Sequence, residues 1–220
     1  MAERTNNIPP NPLYIFRMIH FDNLEYILTN GICCSRHPKA DPGYINIGDS
    51  SLISQRDNYV VRVDPPGGVL GDYIPFYFAG HTPMLLKIIT GYGVDKIPQE
   101  DIIFICCKVN DIIDYTNEWC FTDGHAKSAI TEYFNDLRFI SRVDWNAVKA
   151  TKWTNDENDF DRTRKKQAEF LVKYFIPVPY ISSIIVKNSE KEEEVRSILN
   201  RLNINIPIHI DVENNFYYKC

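Results

Sequence analysis

Strand-forming and helix-forming stretches do not alternate along this chain, and that constrains its fold more than any single motif. Branched and aromatic runs at 13–19, 72–78, 102–109, 168–175, 183–186 and 206–212 read as strands, with a weaker alternation at 59–63. Helical spacing recurs only at about 22–30, 82–90, 122–136 and 190–202. Six or seven strands with four helices, and no regular βαβ repeat, predict an α+β domain. At 220 residues the chain is long enough for one domain with a real core. Residues 1–12, polar and proline-containing, read as a loose lead-in to a single domain over 13–220.

Local signals sharpen the elements. Asp22 is a candidate N-cap with Glu25 three residues on, and Gly31 a candidate C-terminal stop. Residues 35–58, rich in Gly, Pro, Asp and Ser, read as a long loop or a set of turns. Pro75 lacks an N–H and so demotes 72–78 from a central strand. Thr122 or Asp123 can cap a helix running to about 136. The 168–175 segment fits strand or helix; its aromatic and branched residues, stopped by Pro177, favour a strand.

Composition excludes several function classes. A formal charge of -5 gives no global support for a nucleic-acid partner, although a local patch suffices for one. The six cysteines form no CxxC pair and the five histidines no HExxH set, so no metal is expected. Reduced thiols and the absence of a secretory leader predict a cytoplasmic protein. No GxGxxG or GxxxxGK motif supports a dinucleotide fold or a P-loop.

The chemistry-bearing candidates are polar residues inside well-patterned segments. In RKKQAEFLV, residues 164–172, Glu169 stands in an apolar run. Such a carboxylate faces solvent from an edge strand, or is buried and must be paired. Arg17 and His20 bracket the end of the first strand, His81 sits in GHTP, and His125 falls one turn into the expected helix. Arg56 is a surface arginine or a fork for phosphate oxygens. Arg162, Arg164, Lys165 and Lys166 form either a solvated face or a footprint for a nucleic-acid backbone. The residues alone lead to an α+β enzyme that handles a nucleotide.

Five stretches together resemble the DarT family, the toxin component of bacterial DarTG toxin–antitoxin systems. They are IFRMIHFDNLEYILTNGI (15–32), NIGDSSLISQR (46–56), GGVLGDYIPFYFAGHTPML (67–85), WCFTDGHAKSAITEYFNDL (119–137) and KQAEFLV (166–172). The resemblance spans nearly the whole chain. It implies a PARP-like, diphtheria-toxin-like ADP-ribosyltransferase fold, a split mixed β-sheet around an NAD cleft. It also implies NAD-dependent transfer of ADP-ribose to a base, thymidine or else guanosine, of single-stranded DNA.

Under the resemblance Glu169 is the catalytic glutamate, bound to the nicotinamide-ribose 2′-hydroxyl and removing the proton of the attacked base. Arg56 is the active-site arginine. Arg17, Ile19, His20, Asn23 and Gly31 fall in the block that holds NAD, where the family often has histidine in place of Arg17. His81 stands where relatives carry an arginine. His81, Trp153, Phe160, Arg162, Arg164 and Lys166 are the implied DNA contacts. A monomer restrained by a macrodomain antitoxin is the implied setting. A transferase acting on RNA or protein, and a non-catalytic nucleic-acid-binding module, are the alternatives.

Overall fold

The computed structural model describes residues 7–219. In chain order the elements are β1 (Tyr14–His20), α1 (Leu24–Asn30), β2 (Ile32–Cys33), α2 (Ser50–Asp57), β3 (Tyr73–Tyr77), α3 (Pro83–Thr90), β4 (Ile102–Lys108), α4 (Val109–Tyr115), β5 (Trp119–Thr122) and β6 (Tyr133–Phe134). Then follow α5 (Trp145–Lys149), α6 (Arg162–Lys166), β7 (Glu169–Lys173), β8 (Phe175–Ile176), β9 (Ile181–Val186), α7 (Ser189–Arg201) and β10 (Ile208–Ile210). Eight strands form one mixed sheet in the order β10-β9-β4-β1-β3-β7-β5-β6. Among the described residues only β10 and β9 pair in parallel.

Alternation along the strands sorts side chains to the two faces of this sheet. Ile74, Phe76, Phe170 and Val172 join Leu28 of α1, Ile112 of α4, Trp145 of α5 and Val195 of α7 in the largest core. On the other face Leu85 and Ile88 of α3 pack against Phe104, Ile185 and Tyr217. A third cluster there gathers Tyr73, Cys120, Ala126, Tyr133 and Leu171.

The sheet is split at its centre. β1 pairs with β4 along its whole length but meets β3 only at Phe16 and Tyr77. Pro75 lies beside this gap, and its carbonyl accepts a hydrogen bond from the Arg17 guanidinium at 3.1 Å. A strand residue's N–H and C=O point the same way, so the donor that Pro75 lacks would also have faced β1. The proline therefore keeps β3 from closing onto β1 while β3 stays fully paired with β7. The expectation that Pro75 excludes this strand from the centre is corrected: a missing donor is tolerated where the sheet is already open.

Three other expectations are corrected. The 122–136 stretch is not a helix; β5 and β6 flank a loop of turns closed by Asp123, whose carboxylate accepts from the Glu132 N–H. Within 35–58, α2 forms behind an Asp49 cap whose side chain accepts from the Leu52 N–H. Asp22 is not a cap; His20 accepts from the Asp22 N–H and caps a single 3₁₀ turn before α1. Of the lead-in 1–12, residues 1–6 lie outside the described residues. Asn7 is tied down, donating to Ser141 and Val143 carbonyls and accepting from the Trp145 N–H.

Candidate active site

Glu169 is the first residue of β7, on the face opposite the large core, and is 2% exposed. It lies in mid-sheet between β3 and β5, so the edge-strand reading does not hold. Its partner is Arg56, in the last turn of α2. Arg56 Nη1 donates to Glu169 Oε1 at 2.9 Å and Nη2 to Oε2 at 2.7 Å, a bidentate fork. The Ala126 N–H donates a third bond to Oε1, also at 2.9 Å. Thr122 fixes the strand end, its hydroxyl accepting from the Glu169 N–H.

Burial alone would raise the carboxyl pKa of Glu169. The Arg56 charge and hydrogen bonds outweigh it, with smaller help from His125 and the Ala126 N–H, and hold the carboxyl below its usual range. Burial opposes the Arg56 charge as well, and Glu169 more than restores it. The pair is ionised on both sides.

This pair forms the floor of a cavity of about 440 Å³, within the range of small-molecule and cofactor sites. Arg17, Tyr44, Asp49, Tyr77 and His125 also line it. Tyr77 sits in register with Glu169 across the β3–β7 pair. Burial, then the Glu169 charge, pushes its phenol up to about 12, so it stays protonated. Arg17 also reaches Tyr44 Oη at 3.4 Å. Gly31 also lines the cavity, at φ +90°; a Cβ there would lie 2.4 Å from the Phe175 ring, so only glycine fits.

The other expected site residues are placed elsewhere. Ile19 is in the core. His20 is a cap, and buried Asn23 clamps the loop before α2 by bonding both ways to the Ile45 backbone. His81, at φ 51°, bonds the Tyr217 carbonyl at 2.8 Å and packs against Tyr218. Trp153 donates to the Tyr218 hydroxyl.

Nor is the basic cluster a free patch. Arg162 pairs with Asp156, Arg164 with Asp123 and Asp161, and Lys165 with Asp159. Lys166 is buried and donates to the Val148 carbonyl. Arg164 and Lys166 are thus braces of the loop before β7, not outward-facing contacts. Phe160, 78% exposed, remains an open platform at its tip. Sequence reasoning missed Tyr77 and Tyr44, which no motif marks, and gave candidate His125 no role although it stands in the DGHA turn.

A split mixed sheet with a buried Arg–Glu fork under a nucleotide-sized cleft is the arrangement that the resemblance to NAD-consuming transferases implies. The family model described as ssDNA thymidine ADP-ribosyltransferase, DarT, matches residues 16–218. A DNA ADP-ribosyl transferase of Escherichia coli O127:H6 is 30% identical over 204 residues, covering 92% of this chain and 93% of that one. The structure of Thermus sp. 2.9 DarT in complex with ADP-ribosylated ssDNA superposes with a TM-score of 0.86 at 31% identity, over 96% of this chain and 98% of that one. The same Thermus protein in complex with NAD+ gives 0.82 at 30% identity, over 96% and 100%. A transferase–DNA ADP-ribosyl glycohydrolase fusion protein of Thermosipho africanus is 25% identical over 88% of this chain and 47% of its own length.

The chain belongs to the DarT family and is an NAD-dependent DNA ADP-ribosyltransferase.

Proposed function

We propose that Arg56 and Glu169 carry the transfer of ADP-ribose from NAD to a thymine base of single-stranded DNA. The observation behind this is the fork at the cavity floor. Each carboxylate oxygen has two lone pairs. Among the described residues Oε1 receives two donors, Arg56 and Ala126, whereas Oε2 receives only Arg56. The free lone pair of Oε2 is the acceptor for a ribose hydroxyl. An anion fixed there favours the positive charge that develops at the ribose carbon as nicotinamide leaves. Because Arg56 already holds the carboxylate, the geometry needs no rearrangement at that moment.

Phe160, on the loop that leads into β7, offers a face on which a flanking base stacks. Working on single strands avoids the cost of opening a duplex to reach a base. A cytoplasmic setting, where DNA and NAD meet, suits this reaction. The reaction leaves a lesion on DNA, so a macrodomain antitoxin that removes ADP-ribose is the matching partner. Fusion of the two activities in the Thermosipho relative supports that pairing.

The test is labelled NAD with a mixed-sequence single-stranded oligonucleotide, read by the mass of the modified nucleoside. Glu169→Gln should lower transfer by about 10²–10³-fold. Modified thymidine supports the reading; modified guanosine, or transfer unaffected by the substitution, overturns it.

A further inference from the structure

Thymine attacks through N3, which is protonated at neutral pH and a poor nucleophile until that proton leaves. Glu169 is badly placed to take it. It accepts three hydrogen bonds from the protein, its one open lone pair is given to the ribose in the reading above, and Arg56 holds it as a weak base. The proton needs another acceptor on the same cavity wall.

We propose that His125 is the general base, accepting the N3 proton of thymine while Glu169 attends to the ribose. This rests on the thymidine reading above. The imidazole lines the cavity beside Glu169 and Arg56. Neither of its ring nitrogens has a hydrogen-bond partner among the described residues, whereas its backbone is fixed on both sides. The His125 N–H donates to the Arg164 carbonyl, its own carbonyl accepts from Thr131, and the next N–H holds Glu169. The residue is therefore held by the same loop that sets the carboxylate.

The groups that face it are Glu169 from β7, Arg56 from α2, Lys87 from α3 and Lys127 from its own loop. Burial is the largest influence and lowers its pKa; Glu169 opposes this, and the three cations add to it. Burial thus favours the neutral form, the one that can accept a proton.

The step balances without a further reactant. The N3–H proton passes to an imidazole nitrogen, and the N3 electron pair forms the bond to the ribose carbon. The bond from that carbon to nicotinamide breaks, its electron pair leaving with nicotinamide. The imidazolium then gives its proton to solvent.

The test compares oligonucleotides carrying thymidine with ones carrying 5-fluorodeoxyuridine, whose N3 is more acidic. His125→Gln should slow single-turnover transfer to thymidine by about 10²–10⁴-fold, and the loss should shrink at least about tenfold on the fluorinated base. The wild-type rate should fall at acid pH as the imidazole gains a proton. In the variant it should instead climb about tenfold per pH unit as the base ionises by itself. An equal loss on both substrates with an unchanged pH profile overturns the proposal, since a purely structural role would give that result. Glu169→Gln is the control: a loss there that does not depend on the base leaves the reading of the fork standing whichever way His125 falls.

Discussion

Replacing Glu169 by alanine would do two separate things. It removes the acceptor for the ribose, and it leaves the Arg56 guanidinium, whose side chain is only 16% exposed, with no counter-charge. Breaking one side of such a pair costs about 3–5 kcal/mol of stability. Glu169→Ala should therefore unfold at lower urea, and adding Arg56→Ala should cost less than the sum of the two single changes. A chemical-denaturation cycle measures this directly. Lys166 makes the opposite kind of prediction. Burial lowers its pKa to about 8. Below that pH both folded and unfolded chains hold the proton; between about 8 and about 10.5 only the unfolded chain does. Stability should thus rise with pH across that window, by up to about 3 kcal/mol. Lys166→Met should lack the rise in melting curves taken from pH 7 to 10.5.

At the scale of elements, α2 is the anomaly, because it delivers Arg56 and yet buries no residue of its own. The Asp49 cap and the ion pair hold it. Asp49→Ala should cost about 1 kcal/mol, appearing as faster hydrogen exchange over 50–57 and weaker transfer, with a melting temperature lower by only about 2–4 °C. The same property explains what could be read in advance. Strands β4, β7 and β9 were legible because burial on both faces writes a dense apolar run, and Glu169 stood out only against such a run. Helix α2 buries nothing, so it leaves no periodic trace. The 122–136 stretch misled for the converse reason: Ala126 and Tyr133 are buried, but around a loop, where their helical spacing is coincidental. His125 reads in the sequence as ordinary or functional alike, because its meaning depends on Glu169, 44 positions later, which no local pattern links to it.

Across the whole molecule, the segment 211–218 binds distant parts together. The Asp211 carboxylate accepts the N–H groups of Asn215, Phe216 and Tyr217. Tyr217, 1% exposed, donates to the Ile102 carbonyl, and Tyr218 joins the His81 turn to Trp153. Tyr217→Ala should cost about 3–5 kcal/mol, read as a drop in melting temperature of roughly 10 °C.

The internal pairing of the basic cluster has a consequence for how this molecule meets its target. Four cations free to bind single-stranded DNA would make log K fall with log salt at a slope of about −3. Here they are committed to Asp123, Asp156, Asp159, Asp161 and Val148, on a chain of net charge -5. Binding titrations across salt concentrations should give a much shallower slope. Such an enzyme does not draw strands in from a distance; it waits for those already laid bare beside it, and its reach is set by how often a cell's DNA stands open.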